Sequence, residues 1–130
     1  RTRLTSDWSS DVCSSDLMDI LPEVIKVIGD KADVIVDSGV LRGTDVLKAL
    51  AMGAKAVAIG KLQGWGLAAD GKDGVVRVLE ILEEEMRVGM GLLGVTSLHQ
   101  LNMSRVCPGE PTTPAHEMSA WVNMPKDRIN

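Results

Sequence analysis

Apolar residues recur along this chain at two different spacings, and the spacing changes four times. In DILPEVIKVIG, residues 19–29, Val24, Ile25, Val27 and Ile28 follow a proline suited to a first helical turn, and Gly29 suits the stop, which predicts a helix. ADVIVDSG, residues 32–39, is a short unbroken apolar run ending in turn residues, the mark of a buried strand. In GTDVLKALAMG, residues 43–53, Thr44 or Asp45 can cap a second helix. Val46, Leu47, Leu50 and Ala51 form its apolar face and Gly53 ends it. AVAIG, residues 56–60, reads as a second buried strand, and residues 61–71 read as a glycine-rich link. A long helix is predicted over 73–93, where Val75, Val78, Leu79, Leu82, Met86, Met90 and Leu93 keep helical spacing. Met86 and Met90 read as core filler. Arg77, Glu80, Glu83, Glu84 and Arg87 mark the other face, and the run Glu83–Glu85 reads as solvated rather than as paired acid–base carboxylates. From Asn102 onward, Pro108, Pro111, Pro114 and Pro125 predict an extended tail, residues 102–130.

The predicted order is helix, strand, helix, strand, helix. Strands that are apolar throughout, rather than alternating, belong to a parallel sheet covered by helices on its faces. Residues 34–59 then form one βαβ unit. Doubly wound sheets and TIM barrels both contain such units. Two strands complete neither, since a barrel needs eight strands and about 250 residues. The expectation is therefore a portion of a larger α/β fold.

Composition narrows the classes of function. The formal charge is −4, so no electrostatic case exists for nucleic acid or an anionic membrane surface. No apolar run reaches the roughly 18 residues of a membrane span. The two cysteines, Cys13 and Cys107, make no disulfide framework, and a reducing, cytoplasmic setting is the default expectation. Phenylalanine and tyrosine are absent, so any core rests on Val, Ile, Leu, Met and Ala.

The opening stretch stands apart. SDWSSDVCSSDL, residues 6–17, has no apolar run for a secretory signal, carries too many acids for a transit peptide, and offers a lone Cys13 where a metal site needs paired ligands. Trp8 to Leu17 back-translates, in one frame, to the adapter oligonucleotide of short-read DNA sequencing. The expectation is that residues 1–17 are a non-native tail packing against nothing reliably, that the barrel portion covers 18–101, and that its upstream part is missing. Arg1 and Arg3 against Asp7, Asp11 and Asp16 put that stretch at −1 and the remainder at −3.

Candidate chemistry lies just after each strand. After the first come Asp37, Ser38, Gly39, Val40, Leu41, Arg42 and Gly43, leading into a helix; after the second come Gly60 and Lys61. Ligands of parallel α/β folds gather at the C-terminal ends of strands. Small residues let backbone N–H groups approach a phosphate, a helix N-terminus adds partial positive charge, and Arg42 or Lys61 adds a full one. Spacing alone leaves two readings open, a phosphate site or a pair of tight βα turns.

VDSGVLRGTDVLKALAMGAKAVAIGK, then GLAADGKDGVVRVLEILEEEM, then GLLGVTSLHQL, resembles the C-terminal end of the FMN-dependent 2-hydroxy-acid oxidases and dehydrogenases. That family's pattern runs D-G/S-G-V/I/F-R-R-G-T/S-D, then K-A-L-A-L-G-A, I-G-R and G-L-A-A-x-G. The resemblance covers about residues 20–101. It implies the C-terminal part of a TIM (β/α)8 barrel, about two βα units plus the tail, with FMN held at the open strand ends. By position it assigns Asp37, Ser38, Gly39 and Val40 to the loop lining the flavin's ribityl chain and phosphate, with Arg42 beside them. Gly60 and Lys61 fall in the second phosphate loop. Two departures matter: the family's phosphate-binding arginine falls on Leu41, and its arginine after Gly60 is Lys61, which keeps charge but loses the bidentate fork.

The resemblance further implies a parent enzyme that moves a hydride equivalent from C2 of an L-2-hydroxy acid to FMN, giving a 2-oxo acid, and that forms homo-oligomers, in some cases at a membrane. The family's base and substrate-gripping arginine lie in an S-N-H-G-G-R-type motif upstream of the first helix. This sequence has no such motif there, and neither His99 nor His116 matches it, so no catalytic residue is assigned and the chain alone is expected to be inactive. Two other readings stay open: a phosphate-binding barrel portion of the IMP-dehydrogenase kind, and a non-catalytic piece that is inert or serves as an interaction module. Trp121 in the tail invites burial, for example on a neighbouring subunit.

Overall fold

The computed structural model describes residues 14–37 and 39–107, with side chains from Met18 onward. Its elements are α1 (Ser14–Ile28), β1 (Ile35–Asp37), α2 (Gly43–Ala51), β2 (Ala56–Ala58) and α3 (Lys61–Leu93), followed by short 3₁₀ turns at Leu98–Gln100 and Met103–Arg105. The helix–strand–helix–strand–helix order expected from periodicity is present. Trp8, Cys13, Trp121, His116 and the prolines from Pro108 onward lie outside the described residues.

β1 and β2 pair in parallel, with Ile35 beside Ala56, Val36 beside Val57 and Asp37 beside Ala58. Both strands are shorter than the apolar runs that announced them. A two-stranded ladder has hydrogen-bond partners on one side only, so it holds just the central residues of each run. α2 is the centre of the packing. One of its faces meets the sheet and α1, where Leu21, Val36, Ala49 and Ala54 are buried and Ile25, Val34, Met52 and Val57 pack around them. Its other face meets α3 and the turns that follow, where Leu47, Ala51, Val95 and Leu101 are buried against Leu50, Met86, Met90 and Leu93. The assignment of Met86 and Met90 to the core is correct. The two faces of the sheet differ sharply. Val36, facing the helices, is 9% exposed, whereas its neighbour Ile35 is 62% exposed.

Three sequence expectations need correction. The glycine-rich link over 61–71 is helical: Lys61 opens α3, which is interrupted only at Asp70 and Gly71, where the backbone leaves helical geometry (φ −154° and +53°). The glycines of this region serve contact rather than flexibility. A Cβ on Gly66 would meet the Gly74 carbonyl oxygen at 2.8 Å, so the two arms of α3 cross backbone to backbone there. The first helix begins at Ser14, not Asp19, and runs through the boundary drawn at residue 17. The start of the tail is also ordered differently. Residues 102–107 contain a 3₁₀ turn, Val106 packs on the α2–α3 cluster, and Arg105 Nη1 donates to the Leu93 carbonyl at 3.0 Å, which ties the segment to the end of α3.

Candidate functional site at the strand ends

The parallel register fixes where the site must be. Because Asp37 lies beside Ala58, the residues that follow each strand leave the sheet at the same end. There the β1–α2 loop, with Gly39 to Arg42, stands next to Gly60 and Lys61. Parallel α/β folds use this end of the sheet for ligands. Of the seven residues assigned by resemblance, Asp37, Gly39, Arg42, Gly60 and Lys61 are exposed there and Val40 is buried, so Val40 can offer a ligand only its backbone. Ser38 lies outside the described residues.

The two loops are built differently. Gly39 has φ of +73°, a conformation that turns the chain back toward α2 and that a side chain would disfavour. Beyond it, three successive amides end on carboxylates. Leu41 N–H and Arg42 N–H both donate to Asp45 Oδ2, at 3.2 and 3.0 Å. Gly43 N–H donates to Glu85 Oε2 at 2.7 Å, reaching across to α3. Asp45 N–H returns a bond to the Arg42 carbonyl at 3.0 Å. An arginine side chain has no acceptor, so only the carboxylate half of a capping box is made. Arg42 itself turns to α3, its Nη2 lying 2.8 Å from Glu85 Oε1. No hydrogen bond among the described residues engages Gly39 or Val40 N–H.

The second loop is plainer. Gly60 caps α3, and a Cβ there would meet nothing within 4 Å. The first amides of α3 have no intrahelical acceptor, as at any helix start. Lys61 forms no ion pair among the described residues. The site therefore offers N–H groups from Gly39 and Val40, a helix N-terminus at Gly60, and one ammonium group. That donor set suits a phosphate. It fits the phosphate end of FMN, with a single cationic side chain at its mouth.

Sequence reading missed Glu85. It was placed on a solvated face with Glu83 and Glu84, yet its side chain is only 23% exposed and holds both Arg42 and Gly43. The signal was its spacing, three residues after buried Leu82 and next to Met86, on the flank of the stripe that faces α2. The other side chains behave more simply. His99 is exposed in the turn after α3, and Cys107 is an exposed free thiol. Trp65 is 40% exposed on the first arm of α3. Among the described residues, no cluster of His, Cys, Asp and Glu is placed to hold a metal ion, and no helix is long and apolar enough to cross a membrane.

Comparison with known proteins gives the arrangement its context. A 2-hydroxyacid oxidase from Dictyostelium discoideum is 47% identical over 94 residues, covering 72% of this chain and 24% of that protein. Human 2-hydroxyacid oxidase 1 is 48% identical over 89 residues, covering 68% of this chain and 24% of that protein. A solved mandelate oxidase variant with a monooxide FMN adduct superposes with a TM-score of 0.60 at 45% identity, over 63% of this chain and 26% of that one. The chain thus spans about a quarter of the length of the relatives it matches, and its fold is a part of their TIM-type barrel, about two βα units. The sequence model of the FMN-dependent dehydrogenases matches residues 12–108, from the start of α1 to just past the second 3₁₀ turn, and the chain belongs to that family.

Proposed function

We propose that residues 37–42 and 60–61 form the phosphate end of an FMN site, in a protein that oxidises an L-2-hydroxy acid to the 2-oxo acid. The observation that carries this reading is the pairing of two strand-end loops: N–H groups in one and a helix start with Lys61 in the other, side by side at one end of a parallel sheet. Gly39 and Val40 would hold the phosphate through backbone N–H groups, Gly60 would admit it to the α3 N-terminus, and Lys61 would balance its charge. When bound, FMN supplies the hydride acceptor, and the protein orients substrate against it. Leu41 and Lys61, in place of the family's arginines, support a phosphate grip weaker than in relatives that carry both.

The reading extends to the chain's organisation. The barrel portion would take in residues 102–107 along with 18–101, with the tail beyond it, in a parent that assembles as a homo-oligomer in a cytoplasmic or membrane-associated setting. The sheet face carrying Ile35 needs cover that these residues do not supply.

The test is a titration of the full chain with FMN, riboflavin and inorganic phosphate, followed by amide NMR. The expected result is a saturable response at Gly39, Val40, Gly60 and Lys61 with FMN and with phosphate, none with riboflavin, and no flavin bleaching on adding L-lactate or glycolate. Equal responses to riboflavin and FMN, or responses confined to other residues, would overturn the reading. Bleaching would show that a base is present after all.

A further inference from the structure

The N-terminus of α2 is closed by the chain's own carboxylates. Asp45, in the first turn of α2, takes two amides from the loop just before the helix, a local contact. Glu85 is different, because it comes from another helix and binds two groups at once. Its partners are also set by a close approach: a Cβ on Gly43 would lie 2.6 Å from both the Leu82 carbonyl oxygen and the Met86 nitrogen. Gly43 thus rests directly on the α3 backbone, and Glu85 sits where it spans the junction. The loop leaving β1 is anchored at its far end by this junction and at its near end by the β1–β2 ladder.

We infer that Glu85 is a positioning residue for the phosphate-binding loop. It fixes the end of the loop to α3 through Gly43 and holds Arg42 in an ion pair directed at α3. Glu85 and Asp45 place negative charge at the α2 N-terminus, which directs an incoming phosphate to Gly39, Val40, Gly60 and Lys61. Arg42 then acts as an anchor and not as a phosphate ligand. The functional half of this inference rests on the FMN reading above; the structural half does not.

The test uses Glu85→Gln and Glu85→Leu in the full chain. Glutamine keeps an acceptor for Gly43 N–H but loses the charge opposite Arg42, and leucine loses both. Amide hydrogen exchange in the unliganded chain should rise over Leu41–Gly43, about tenfold for leucine and less for glutamine, as expected from losing a hydrogen bond to a charged group. Exchange at Val36 and Val57 should stay as it was. FMN affinity should fall by a similar factor relative to the wild-type chain, with inorganic phosphate following it. Unchanged loop exchange in Glu85→Gln and Glu85→Leu, or a rise spread equally through β1 and β2, would overturn the inference. If Glu85→Leu does not fold, Glu85→Gln alone decides by the same criterion. Tighter phosphate binding in either variant would also overturn it, since Arg42 would then be a ligand that Glu85 withholds. If wild-type loop amides do not respond to FMN at all, the flavin reading fails while the exchange comparison still decides the role of Glu85.

Discussion

The two loops at the strand ends carry similar sequence signals and are held in opposite ways. The β1–α2 loop is fastened: its last three amides end on Asp45 and Glu85, its arginine is paired, and Gly43 lies on the α3 backbone. The Gly60–Lys61 loop is open, with free space at the glycine and a lysine that pairs with nothing among the described residues. In the proposed phosphate site, one loop would supply shape and the other charge. Glycines, helix starts and basic residues occur in both, so residue type alone does not separate these roles.

The sharpest way to break the comparison is at Gly43. Gly43→Val would drive a branched side chain into the α3 backbone, and the expected loss is about 3 kcal/mol, read by thermal or urea unfolding. The same substitution at Gly60 has open space around it, and the expected change in stability is small, within about 1 kcal/mol. On the binding side, Lys61→Ala should weaken FMN and inorganic phosphate about tenfold and flatten the salt dependence of binding, whereas Arg42→Ala should leave that salt dependence in place. Leu41→Arg restores a cation beside the open loop, and a gain in FMN affinity of roughly threefold is expected from titration, with riboflavin unchanged. The smallest effect belongs to a pair outside both loops. Arg87 Nη2 lies 2.7 Å from Glu83 Oε1 with both side chains 71% exposed, and Arg87→Ala should cost about 0.4 kcal/mol, shrinking further at high salt.

The elements with strong periodicity were legible. The stripe from Val75 to Leu93 predicted α3's second arm, and the apolar runs around Val36 and Val57 predicted the parallel pair. The logic of parallel sheets singled out the strand-end loops as candidates, and resemblance added FMN to them. What sequence did not reveal has identifiable causes. Glycine favours turns by propensity, so the segment opening with Lys61 read as a link, although Gly66 and Gly74 serve a helix crossing that only tertiary packing makes visible. Glu85 sits in a run of three glutamates, and a composition argument treats them alike; its role depends on Gly43, 42 residues earlier, which no local window contains. The strands were overlong because an apolar run marks burial potential, while the ladder requires a neighbour at each residue.

The pairing of β1 with β2 has one more consequence. Each strand uses one edge for the other, and among the described residues each leaves its opposite edge without a strand partner. In a closed barrel such edges vanish by pairing around the ring. In a separate chain they can recruit each other, so β1 of one copy can template on β2 of the next. The added ladder would keep the parallel sense and repeat without closing, and recovery on refolding should fall as protein concentration rises.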